Sequence, residues 1–221
     1  MKTTHITIAV ALLAAASSTW AQKAGSISVE AGITQLSPQV SSGDLSAPSF
    51  PNVKADVSSA TGISGALSYM VTDSIAVNVP LGLGFKHSIT GAARAQGFGK
   101  LAEVSVLPMT VLGQYRFGDA SAQFRPYVGA GLTYAKFYKE TGSAALTALT
   151  NPGGTPTTFS VGSKIAPTVQ VGVLLNIGEK WYVNAHYAKT FLTIKATYST
   201  NQTQEIKLNP NAFSVGVGYK F

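Results

Sequence analysis

The last ten residues, Ala212 to Phe221, read AFSVGVGYKF. Phe213, Val215, Val217, Tyr219 and Phe221 are bulky and apolar, while Ser214, Gly216, Gly218 and Lys220 between them are small or polar. Successive side chains of a strand point to opposite faces, so this segment has one apolar face and one that is not. The same period recurs along Ile75 to Lys86. There Ile75, Val77, Val79, Leu81, Leu83 and Phe85 fall on one face and Ala76, Asn78, Pro80, Gly82, Gly84 and Lys86 on the other. A row of large side chains repeated at period two needs something other than water to lie against. A transmembrane barrel wall meets that need, with apolar residues in lipid, small and polar ones inside, and aromatic girdles at the interfaces.

Composition fits such a wall. Charged residues are 11% of the 221-residue chain, against about 25% in soluble domains. Beyond the N-terminus there is no long apolar run of the kind a transmembrane helix needs. Cysteine is absent, although small exported domains often rely on disulfides. Lys2, the apolar run Ile6 to Ala16 and the small residues before Ala21 read as a secretory signal, with Thr19 at the minus-three position. We therefore expect residues 1–21 to be a signal peptide and 22–221 one barrel domain. Losing Lys2 lowers the net charge from +7 to +6. The basic residues are scattered, which argues against a nucleic-acid surface and for contact with the lipid bilayer and lipopolysaccharide.

Alternation of this kind predicts eight strands, at about 26–36, 60–71, 75–86, 103–117, 124–140, 163–177, 181–198 and a last one ending at Phe221. Long connections at 37–59, about 90–102, 141–162 and 199–205 alternate with short ones at 73–74, 118–123 and 178–180. The expected fold is all-β: an eight-stranded antiparallel transmembrane β-barrel with short periplasmic turns and longer extracellular loops.

The segment Leu107 to Tyr138, LPMTVLGQYRFGDASAQFRPYVGAGLTYAKFY, carries a more specific signal. The FGDAS turn at 117–121 followed by FRPYVGAG at 124–131 resembles the OmpW family of small outer-membrane proteins. TGISGALSYMVTDSIAVNV, PLGLGFKH and the ending LNPNAFSVGVGYKF support the resemblance, which covers essentially the whole chain after residue 21. The C-terminus also resembles the signal by which the barrel-assembly machinery recognises its clients. The resemblance implies an outer-membrane location in a Gram-negative bacterium and a narrow hydrophobic channel. It also implies uptake of small hydrophobic molecules, with release through a gap in the wall into the bilayer.

An eight-stranded barrel has room inside for side chains or one small ligand, so function depends on what fills the lumen. The expected channel-lining residues are Leu112, Leu174, Leu192 and His186, beside the polar Gln114, Arg116, Gln170 and Asn184. A core that merely plugs the interior would use the same leucines. Pro80, Pro108, Pro167 and Pro210 fall within strands and cannot donate to the ladder. They are candidates for a lateral opening, or for harmless bulges. Glu30, Lys86, Arg116 and Arg125 are expected to form an interior charge network closing the periplasmic half. His87 and Glu103 lie near one another across a loop, but no nucleophile motif accompanies them. No metal ligand cluster, cofactor or enzymatic activity is expected. Trp181, Tyr182, Tyr115, Phe117, Tyr219 and Phe221 should form the periplasmic aromatic belt, with Tyr138, Tyr198 and Phe137 in the outer one. The favoured reading is a passive channel for small hydrophobic ligands. The alternative is a non-transporting envelope barrel whose extracellular loops act as an adhesin or as a phage or bacteriocin receptor.

Overall fold

The structure is a computed structural model that describes residues 22–221. The expected signal segment lies outside the described residues. The chain forms strands β1 (Ile27–Ser37), β2 (Ser41–Ser42), β3 (Val53–Val57), β4 (Ala60–Met70), β5 (Ile75–Gly82), β6 (Phe85–Ala93), β7 (Lys100–Arg116) and β8 (Phe124–Gly142). Helix α1 (Ala144–Thr150) follows, then β9 (Phe159–Val161), β10 (Lys164–Ile177), β11 (Trp181–Thr190), β12 (Thr193–Tyr198), β13 (Thr203–Lys207) and β14 (Asn211–Lys220). β1, β4, β5 with β6, β7, β8, β10, β11 and β14 pair in turn, all antiparallel, and β14 returns to β1. The result is a closed eight-stranded barrel.

The alternation predicted from the chain sorts the side chains as expected over most of this wall. Ile33, Ile63, Val111, Leu132, Ile165, Val171, Phe213 and Val217 are exposed on the outside. Thr34, Ser68, Leu112, Gln114, Thr133, Gln170 and Ser214 are buried inside. At the short-turn end, Trp181, Tyr219 and Phe221 stack edge to face, their ring centroids 5.0 and 4.9 Å apart. Tyr115 and Phe117 make a second such pair at 5.0 Å. These exposed rings form a girdle at one membrane interface.

Three departures from the sequence reading have physical causes. First, strand three is broken. Leu83 is 79% exposed, but Phe85 is buried inside and Lys86 points out. Gly84 between them has φ +90°, and a Cβ there would collide with the Tyr138 hydroxyl. The extra residue at this break reverses the faces of everything after it, as a bulge does. Second, the wall strands do not stay in the wall. The seventh stops at Thr190, and β12, β13, β2 and β9 form a separate four-stranded sheet over the extracellular end. Third, the connections at 37–59 and 141–162 contain β2, β3, α1 and β9 rather than irregular loop alone. Their apolar residues Ala55, Leu146, Phe159 and Val161 join Leu101, Val104, Leu192, Ile194, Ile206 and Leu208 in one buried cluster. Ser143 caps α1, its side chain accepting from the Leu146 N–H.

Candidate conduit through the barrel

Polar residues close the periplasmic half of the lumen. Arg116 donates through Nη1 to Gln22 Oε1 at 2.8 Å and through Nη2 to Gln114 Oε1 at 2.9 Å. Gln114 passes the chain on to Gln170 Oε1 at 2.8 Å. Arg125 donates to the Asp73 carbonyl at 2.7 Å and to Gln22 Oε1 at 3.2 Å. Asn184 accepts from the Tyr127 hydroxyl at 3.0 Å and donates to Glu30 Oε2 at 2.9 Å. Gln22 is fully buried and its Oε1 accepts from both arginines, which ties residue 22 into the floor. Tyr127, Leu174 and Tyr182 pack together as an apolar plug at the same end. The tyrosine rings lie over Gly172 and Gly218, their cross-strand partners.

Two residues predicted from the sequence to serve the lumen lie elsewhere. Leu174 belongs to this plug and lines neither cavity above it. Lys86 is no part of the interior: its side chain is 65% exposed and pairs with Glu103 at 2.8 Å, because the break at Gly84 turned it outward. Glu30, Arg116 and Arg125 do face inward, but they are satisfied by amides and carbonyls, and among the described residues they form no ion pair. Buried charges held by hydrogen bonds leave groups stranded when one partner goes. Arg116→Ala should therefore lower barrel stability by roughly 1–3 kcal/mol. The measurement is the temperature at which the folded, fast-migrating electrophoretic form is lost.

Above the floor the lumen carries hydroxyls that bond to one another. Thr110, Thr133, Thr168 and Thr190 form a chain with steps of 2.8, 2.6 and 2.9 Å. Thr34 bonds Ser214 at 2.6 Å and Ser64 at 2.7 Å. Hydroxyls satisfied by each other present mainly methyl and methylene surface to the space between them. A cavity of about 90 Å³ lies here, lined by Leu112, Phe85, Pro108, Ala188, Ala212 and His186 among others.

A second cavity, also about 90 Å³, sits beneath the extracellular sheet. Leu36, Ala135, Phe137, Leu146, Phe159, Leu192 and Leu208 are in its wall. The two cavities share Leu36, Pro108, Thr133 and Thr190 in their linings and are therefore adjacent. Phe137 and Tyr198, expected in an outer aromatic belt, instead wall this chamber, Tyr198 donating its hydroxyl to Gln204 at 3.1 Å.

His87 also faces the chamber. It lies beyond the lipid-facing band, since β6 carries the exposed Lys86 on its outer side. Burial lowers its pKa from the ordinary value near 6.5, against the opposing pull of its bond to the Ser58 carbonyl. Glu103 is on the outside with Lys86 and Lys100 at 2.8 and 2.6 Å. The fold thus separates the two groups that the sequence set near each other.

The prolines divide into two pairs. β5 pairs with β7 only from Ile75↔Tyr115 to Asn78↔Leu112, and β6 resumes at Phe85↔Val106. Residues 79–84 on one side and 107–111 on the other have no ladder partner across this seam. Pro80 and Pro108 stand on its two sides, and both line the lower cavity together with Leu81 and Gly82. Pro167 and Pro210 stand at closed seams. Their carbonyls accept from Phe191 at 2.9 Å and from Thr190 at 3.0 Å. Sequence could mark all four prolines, but the break in pairing depends on the Gly84 bulge and was not visible in any one segment.

A closed eight-stranded barrel with a lipid-facing apolar wall, aromatic girdle and short turns at one end defines an integral outer-membrane β-barrel protein. The chain belongs to the OmpW family, whose model matches residues 23–221. It is 31% identical to outer membrane protein W of Vibrio cholerae over the full length of both chains. It is 25% identical to outer membrane protein AlkL of Ectopseudomonas oleovorans, across 78% of this chain and 71% of that one. Among solved structures it is similar to OprG from Pseudomonas aeruginosa, with a TM-score of 0.82 and 25% identity. That match covers 92% of this chain and 99% of OprG.

Proposed function

We propose that this barrel is a passive conduit for small hydrophobic molecules. Cargo enters the extracellular apolar chamber, descends to the mid-lumen cavity and leaves sideways into the bilayer through the seam at Pro80 and Pro108. The observation that carries the reading is the adjacency of two cavities, the lower one reaching an unpaired stretch of wall, above a polar floor. A floor of interlocked arginine, glutamine and asparagine side chains disfavours an aqueous path to the periplasm. Apolar cargo gains free energy on passing from water into lipid, so no energy source is needed. The cargo class also agrees with what the family resemblance implies. No catalytic step is part of this proposal.

The test is protein-dependent uptake of a long-chain apolar compound into cells or liposomes. Equal rates with and without the protein would remove the channel reading. The exit is tested by Pro80→Ala combined with Pro108→Ala, which gives each side of the seam a ladder donor it lacks. One or two new backbone bonds at about 0.5–1.5 kcal/mol each should slow release roughly three- to tenfold. Unchanged uptake in the double variant would place the exit elsewhere.

A further inference from the structure

Four polar side chains line the extracellular chamber: His87, Thr133, Thr190 and Tyr198. Three of them spend their polar atoms on protein partners. Thr133 and Thr190 belong to the hydroxyl chain, and Tyr198 bonds Gln204. His87 differs. The residue is 3% exposed, and Nδ1 is 2.6 Å from the Ser58 carbonyl oxygen. A carbonyl can only accept, so Nδ1 carries the hydrogen. In the neutral ring, Nε2 is then a bare acceptor. Among the described residues Nε2 has no hydrogen-bond partner, and it is not among the polar atoms sealed from all free space. His87 thus contributes one fixed acceptor to the lining of an otherwise apolar chamber.

We propose that His87 is a specificity-determining residue that favours cargo with one hydrogen-bond donor on an apolar body, such as a long-chain alcohol or phenol. This inference rests on the conduit reading above. An alkane entering the chamber displaces any water at Nε2 and leaves the acceptor unpaired, which is costly in an apolar setting. An alcohol brings its O–H to that nitrogen and fills the rest of the wall with its chain. A methyl ether of the same length offers only an acceptor and gains nothing there. The backbone holds the ring in place through Ser58, so little order is lost when the donor binds.

The experiment measures protein-dependent uptake of 1-decanol, decane and decyl methyl ether by cells carrying wild-type protein, His87→Asn or His87→Leu. Asn keeps a donor for the Ser58 carbonyl but has no atom at Nε2, so it guards against simple misfolding. His87→Leu removes both nitrogens. Wild type should prefer the alcohol over the ether by roughly three- to tenfold, as one net hydrogen bond allows. Both variants should lose that preference while still migrating as folded barrels. An alcohol preference retained in His87→Asn, or absent from wild type that takes up the other compounds, would overturn the assignment and leave the conduit standing. Uptake of all three at the protein-free rate would overturn the conduit itself.

Discussion

Replacing Ala135 by Trp should bring uptake of a small apolar compound close to the protein-free rate. Ala135 is 2% exposed, sits on β8 opposite Pro108 and faces the extracellular chamber. An indole at this position has free volume to enter, so it would occupy the proposed path and spare the wall. Cargo would have to displace it, and a cost of about 1.4 kcal/mol already means a tenfold loss. The expected reduction is at least about tenfold, the loss that such a displacement cost implies. Leu132→Trp, on the same strand but 57% exposed to lipid, is the matched control and should transport normally. A folded Ala135→Trp barrel with wild-type uptake would mean that cargo bypasses the chamber.

Gly131→Val should be the most damaging single change to the wall. Gly131 pairs with Leu112 on one side and Thr168 on the other. A Cβ there would run into the Val111 carbonyl oxygen, closer than non-bonded atoms can stand, and lie 2.8 Å from Leu112 Cα. Both obstacles are backbone of the paired strand, so relief requires breaking the ladder. The loss should reach or exceed the upper part of the roughly 1–3 kcal/mol range for overpacking. In a membrane it should appear as little folded barrel and a lower transition temperature. Gly162→Val, where a Cβ meets nothing within 4 Å, should stay within about 0.5 kcal/mol of wild type. Equal folding yields for the two variants would show that β7 and β8 leave room for a side chain at Gly131.

Much of the setting of the two cavities follows from residues that neighbour one another in the chain. Leu112 could be placed inside from its position in an alternating strand, and it is 1% exposed. Pro80 and Pro108 could be marked from strand position alone. Leu174 shows the limit. Its inward face was legible, but its height was not, and height decides whether a leucine lines a cavity or plugs the floor beside Tyr127 and Tyr182. His87 shows a second limit. It was visible as an isolated histidine, and only the fold gives it a carbonyl partner on Nδ1 and an apolar chamber on the other side.

By itself the sequence determined the wall. Period-two alternation, small turns and a terminal aromatic row leave lipid as the one environment in which every strand can satisfy both faces. That is a local property, repeated residue by residue, and so it can be read locally. Tertiary structure decided where the wall fails and what the loops become. The positive φ at Gly84 turns Phe85 in and Lys86 out, and a stretch of β7 loses its partner as a result. Segments far apart in the chain, near Ala55, Leu146, Phe159 and Ile206, converge over the barrel mouth to build the chamber. Such contacts depend on closure of the barrel bringing distant segments together, and no window of sequence contains both partners.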